Sequence, residues 1–158
     1  MTMPATTATG SWGDTGPGLD VRVEGPESRV DDADLRRLFS HTALSVSRQA
    51  RIRADPRVVV MIGGRIVAMA TCHHVLCEMR VCELAIDVPA SRAPLSIGTN
   101  DERVLHALVD AIEVMAMAGG CRRVILSPPR SAMRTLQDRG YRPVENPAHA
   151  GWLERSVT

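Results

Sequence analysis

The chain has 158 residues, 44% of them apolar and 23% charged, which suits one domain with a sizeable core. A formal net charge of +1 and an aromatic content of 3% supply neither bulk attraction to nucleic acid nor stacking platforms for bases. No run of about 18 apolar residues is present, which excludes a spanning helix and a membrane role, and the N-terminal residues lack the basic and apolar regions of a signal peptide.

A cytoplasmic protein with its four cysteines reduced is therefore expected. All 19 basic residues are arginine, which reads as the compositional bias of a bacterial genome. Residues 1–18 are rich in Thr, Gly, Ser and Pro without periodicity, and read as a disordered tail ahead of a single domain over 19–158.

Taken in order, Asp20–Glu24 alternates polar and apolar residues and reads as a first strand. Val30–Ala43 carries acidic residues in its first turn and Leu35, Leu38 and Phe39 at helical spacing. Ser45–Ala54 is a weaker second helix, ended by Pro56. The runs Arg57–Ile62 and Arg65–Ala70 flank Gly63–Gly64, the pattern of a tight hairpin. The second run continues toward His74, and Arg80–Val88 follows as the next strand; pairing the two around Cys77 would set Cys72 opposite Cys82.

After a loop over Pro89–Asn100, the stretch Asn100–Ala118 is the strongest helix. Thr99 or Asn100 can cap it, Asp101 and Glu102 fill its first turn, and Val104, Leu105, Leu108, Val109, Ile112, Met115 and Ala116 form one apolar stripe. Gly119–Gly120 stops it. Arg122–Leu126 is a buried-type strand, Ser131–Arg139 a short helix, and Tyr141–Val144 and Trp152–Val157 closing strands. The expected fold class is α/β, a mixed sheet with helices on both faces.

The order of these elements, and several local sequences, resemble the GNAT family of N-acetyltransferases. The Arg57–Cys72 hairpin resembles its second and third strands, Leu84-Ala-Ile-Asp-Val-Pro89 its fourth, Cys121–Leu126 its fifth, and Ala132–Val144 its closing helix and strand. The resemblance implies a splayed sheet. It also implies acetyl-coenzyme A as acyl donor, with the pantetheine on the backbone of the fourth strand (Ile86, Val88) and the pyrophosphate on the next helix's N-terminus. The family's loop pattern, (Gln/Arg)-x-x-Gly-x-(Gly/Ala), fits best when started at Ala93, which puts Ser96 and Gly98 on the glycine positions. The implied cofactor-binding residues in and around that loop are then Arg92, Ser96, Ile97, Gly98, Thr99 and Asn100.

Three departures stand beside the likeness. Ser96 takes strained backbone less readily than Gly. Asp101 and Glu102 repel an arriving pyrophosphate. The position of the family's acid tyrosine is Leu136, and the Asn found just before that helix falls at Pro129.

Glu83, beside the slot, is where some family members place the base that accepts the amine's proton. The alternative for Glu83 is a strand carboxylate paired with one of the many arginines. Cys72-His73-His74, Cys77 and Cys82 together invite a zinc reading, but their spacing fits no zinc site, so no metal is expected. No readable His–Asp partner accompanies Cys82 as a nucleophile, and His106 reads as solvated.

The implied activity is acyl-coenzyme A-dependent N-acyl transfer to the amine of a small molecule or peptide. The rival is a non-catalytic GNAT-like binding or dimerisation module, and a homodimer is compatible with either reading.

Overall fold

The computed structural model describes residues 18–39, 45–87 and 100–158. The first sheet has the order β1-β2-β3-β6, from β1 (Leu19–Glu24), β2 (Arg57–Ile62), β3 (Arg65–Thr71) and β6 (Leu84–Ile86), all antiparallel. The β2–β3 hairpin turns on Gly63 and Gly64 with φ of 58° and 78°, the pair of positive values a tight two-residue hairpin requires.

Two short helices cover one face of this sheet. In α1 (Asp32–Leu38), Asp31 accepts the Ala33 N–H at 3.1 Å; in α2 (Val46–Ala54), Ser45 accepts the Arg48 N–H at 3.2 Å. Leu35, Leu38, Phe39 and Ile52 pack on Val59, Met69 and Ala85 of the strands. Ile52 is the one buried residue of α2.

The long helix α3 (Asn100–Ala118) has the bounds its periodicity predicts and covers the opposite face. Its stripe meets Val58, Val60, Ala70 and Leu84 of the first sheet and Val124 and Leu126 of the second, so one helix ties the two sheets together. That second sheet has the order β4-β5-β7-β9-β8, from β4 (His73–Val75), β5 (Glu78–Val81), β7 (Arg123–Leu126), β8 (Arg142–Pro143) and β9 (Leu153–Ser156). Only its β5–β7 pair is parallel. A 3₁₀ turn (Arg130–Ala132) and α4 (Met133–Asp138) follow β7.

The sheet is mixed, splayed and flanked by helices on both faces, as the sequence suggests. The strand expected over Arg80–Val88 is in fact two, β5 in one sheet and β6 in the other, broken at Cys82–Glu83. The preceding run breaks in the same way at Cys72. The hairpin turns on Leu76 and Cys77, which sets His73 opposite Arg80, whereas β3 meets β6 with Met69 opposite Ala85. Reconciling these registers leaves Val81 and Cys82 together facing the position that Cys72 fills alone, a β-bulge that bends the strand out of one sheet into the other. Cys72 is buried and Cys82 is exposed.

The helix expected over Val30–Ala43 is observed as α1, and residues 40–44 lie outside the described residues. His106 is 38% exposed, as its place beside the apolar stripe suggests, but it also has partners. Its Nδ1 lies 3.0 Å from Arg139 Nη1 and its Nε2 3.6 Å from Glu102 Oε1. No helix among the described residues is long and apolar enough to cross a membrane.

Candidate functional site

The opening between the sheets follows from two local features. Strands β5 and β7 run paired as far as Val81, whose C=O accepts the Ser127 N–H at 3.1 Å. Pro128 and Pro129 come next, and neither has an N–H to continue the ladder. On the other side, the bulge at Val81–Cys82 has turned β6 toward β3. The two chains part there, and β6 is an edge strand among the described residues.

The ladder determines which backbone groups face that opening. Thr71 N–H donates to Glu83 O at 2.9 Å, and Asp87 N–H donates to Val67 O at 2.8 Å. Bonded and non-bonded pairs alternate in an antiparallel ladder, so Leu84 and Ile86 turn their N–H and C=O groups away from β3. An extended ligand carrying amides could pair with these groups as an added strand would.

Glu83 directly follows the bulge, opposite Thr71, and is 7% exposed. Its carboxylate receives Arg48 Nε at 2.9 Å and Arg48 Nη2 at 2.5 Å, a bidentate pair that fastens α2 over the bulge. The hydrogen bond that Arg48 donates to Glu83 raises the Arg48 pKa above its ordinary value, against the lowering effect of burial. The Glu83 N–H donates to Thr71 Oγ1 at 3.3 Å. Nothing in the sequence marks Arg48 or Thr71: one arginine among 19 carries no local sign of its partner.

Of the expected cofactor residues, Ile86 lies in β6, beside the opening. Val88, Arg92, Ser96, Ile97, Gly98 and Thr99 lie outside the described residues. Asn100 begins α3, and the first turn of that helix carries Asp101 and Glu102.

Leu136 is fully buried in the main core. Tyr141, the single tyrosine of the chain, is also buried and donates to Glu113 Oε1 at 2.9 Å. Burial, then the Glu113 carboxylate, push its phenol well above the ordinary range. No phenol is therefore available as a general acid near β6.

The thiols divide between core and surface. Cys72 and Cys121 belong to the apolar core, while Cys77 and Cys82 are exposed. Burial pushes the Cys72 thiol up to about 12 and raises those of Cys82 and Cys121. Among the described residues no group of three or more His, Cys, Asp or Glu side chains is gathered as metal ligands. Native-state alkylation with iodoacetamide near pH 8 should label Cys77 first and leave Cys72 and Cys121 unmodified until unfolding, as read by mass spectrometry. Rapid native labelling of Cys72 would contradict its placement in the core.

No protein-family model matches the chain, and no curated protein matches it by sequence. Solved structures do. One is N-acetylglutamate synthase from Neisseria gonorrhoeae complexed with coenzyme A and N-acetyl-glutamate, at 14% identity and a TM-score of 0.59; the match covers 87% of this chain and 35% of that one. A probable acetyltransferase from Staphylococcus epidermidis matches at 15% identity and a TM-score of 0.63 over 89% of this chain and 99% of its own. Aminoglycoside 6'-acetyltransferase type Ii matches at 11% identity and a TM-score of 0.64 over 87% and 97%. Identities this low speak for fold alone. Together with the strand order and the splay beyond Val81 and Ser127, they give this chain the fold of the GNAT N-acetyltransferases.

Proposed function

We propose that the protein transfers an acyl group from an acyl-coenzyme A, acetyl-coenzyme A in the simplest case, to the amine of a small molecule or peptide. The observation that carries this reading is the free edge of β6, where Leu84 and Ile86 direct backbone groups into the opening left by Pro128 and Pro129. The pantetheine amides would pair with that edge, and an outward N–H would meet the thioester oxygen as charge develops on it. The loop over Pro89–Asn100, including Arg92, Ser96, Ile97, Gly98 and Thr99, would receive the pyrophosphate. The likeness to a structure complexed with coenzyme A supports the donor, and the acetyltransferases named above support an amine as acceptor.

The chemistry asks little beyond position. Holding donor and amine together supplies most of the rate. The amine must first lose a proton, and Glu83, held beside the opening by Arg48, would take it through a water. The leaving thiolate has a thiol pKa of about 8.5 and departs without an acid.

Glu83→Gln is expected to lower kcat/KM about 100-fold, to flatten its rise with pH, and to leave coenzyme A affinity within about twofold. A Glu83→Gln protein that matches the wild type at every pH would remove Glu83 from the chemistry.

A second reading, a GNAT-like module that binds without catalysis, is favoured by the burial of Leu136 and the engagement of Tyr141 with Glu113. Tight coenzyme A binding with no turnover across a panel of amines would select it.

A further inference from the structure

The far end of the second sheet holds a concavity that the proposed acyl transfer does not use. It lies where β7 begins and β9 ends, roughly 13 Å of strand from the opening beyond Ser127. Its volume is about 530 Å³, within the range of small-ligand sites. Four arginines line it, Arg122, Arg123, Arg142 and Arg155, with Glu154 and Ser156. Gly140, at φ 98°, has no side chain to fill the space beside Arg155: a Cβ there would stand 3.7 Å from Arg155 Nε.

Charge in the concavity is unevenly matched. Arg123 is held by Glu78 and by Glu154 at 2.9 Å, and Arg155 by Glu113 at 3.0 Å. Arg122 and Arg142 are exposed and make no ion pair among the described residues. Their backbones are nevertheless fixed. Arg122 N–H donates to Cys77 O at 2.7 Å and its C=O accepts the Val157 N–H at 2.9 Å, while Arg142 pairs in register with Glu154. Two unmatched guanidiniums are thus mounted on paired strands around one hollow, with two more cations in its wall. Guanidinium forks bind planar or tetrahedral oxyanions with two parallel hydrogen bonds, and a multiply charged anion relieves the crowding of like charges.

We propose that this concavity binds a small molecule carrying two or more negative charges on phosphate or carboxylate oxygens. Arg122 and Arg142 grip the oxyanions, and Arg123 and Arg155 supply the surrounding potential. The proposal stands apart from acyl transfer, and its test uses no coenzyme A, so either can fail without the other.

The full-length protein is titrated with inorganic phosphate and, separately, with citrate, each against sodium chloride at matched ionic strength, by thermal denaturation and calorimetry. At ten times the dissociation constant, the binding anion should raise Tm by about 3–6 °C. Both probes also stabilise proteins nonspecifically by exclusion, so the variant decides. Arg122→Gln/Arg142→Gln should bind at least tenfold more weakly, with a ligand-free Tm close to wild type because both side chains are exposed. Arg122→Lys/Arg142→Lys, which keeps charge but loses the forks, should fall between. A larger response to phosphate points to a phosphorylated ligand, and a larger response to citrate to a polycarboxylate. Protection no greater than with chloride, or equal protection of wild type and the glutamine pair, overturns the proposal.

Discussion

Glu24→Ala is expected to destabilise the protein by about 3–5 kcal/mol, the cost of leaving a buried cation without its partner. Arg57 opens β2 and is fully buried. Its Nε donates to Glu24 Oε2 at 3.1 Å, its Nη2 donates to Ser28 O, and its Nη1 has no hydrogen-bond partner among the described residues. Without Glu24 the guanidinium keeps one carbonyl and loses its only carboxylate. Arg57→Met should behave quite differently. It removes the buried charge together with the unpaired Nη1, and leaves Glu24, which is partly exposed, to water. Its stability should lie within about 1 kcal/mol of wild type, or above it. Denaturant titration of the two variants gives the comparison directly. Equal losses would mean that Arg57 contributes through packing rather than through its charge.

The second large effect is expected at Glu113→Ala, again about 3–5 kcal/mol. Glu113 lies on α3 and gathers groups from the last third of the fold: Tyr141 Oη at 2.9 Å, Arg155 Nη1 at 3.0 Å and Arg139 Nη2 at 3.1 Å. Arg139 also donates to Asp110 at 2.6 Å, while its Nε is buried without a partner among the described residues. Removing Glu113 orphans a phenol and weakens the hold on two guanidiniums at once.

The network also has a pH signature. The Tyr141 phenol is raised in the folded state, so its contribution is fully present below the unfolded tyrosine pKa of about 10 and fades as pH rises beyond it. In the folded wild type the single phenol should stay protonated through the usual tyrosine range in an ultraviolet titration. In Glu113→Ala it should titrate nearer its ordinary value. Ionisation of the wild-type phenol near pH 10 without unfolding would show that Tyr141 is neither buried nor bound.

Much of this architecture is legible in the sequence, and particular residues show why the rest is not. The stripe from Val104 to Ala116 defines α3 because one helix face must be apolar to cover two sheets. Gly63–Gly64 identifies the hairpin because its turn needs positive φ at both residues. The break at Cys82–Glu83 leaves no such mark. Val81 through Ile86 reads as one apolar strand, and only the conflict between the β4–β5 and β3–β6 registers makes a bulge there.

The candidate site divides in the same way. Glu83 was visible as a carboxylate on a strand, but its partner Arg48 lies 35 residues away on a helix that buries a single side chain. In the sequence Pro128–Pro129 simply follows a strand, with Pro129 where the family has an Asn. Its physical role, withholding the N–H groups that would have closed the sheet, becomes clear once β6 is seen at the edge.

Residue-resolved amide exchange, followed by NMR with and without saturating acetyl-coenzyme A, tests the proposed donor site on β6 most directly. Ala85 N–H is turned toward β3, whereas those of Leu84 and Ile86 face the opening. Acetyl-coenzyme A should slow exchange at Leu84 and Ile86 at least tenfold and change Ala85 little. Saturable binding that leaves both outward amides unchanged, or no binding at all, would contradict it.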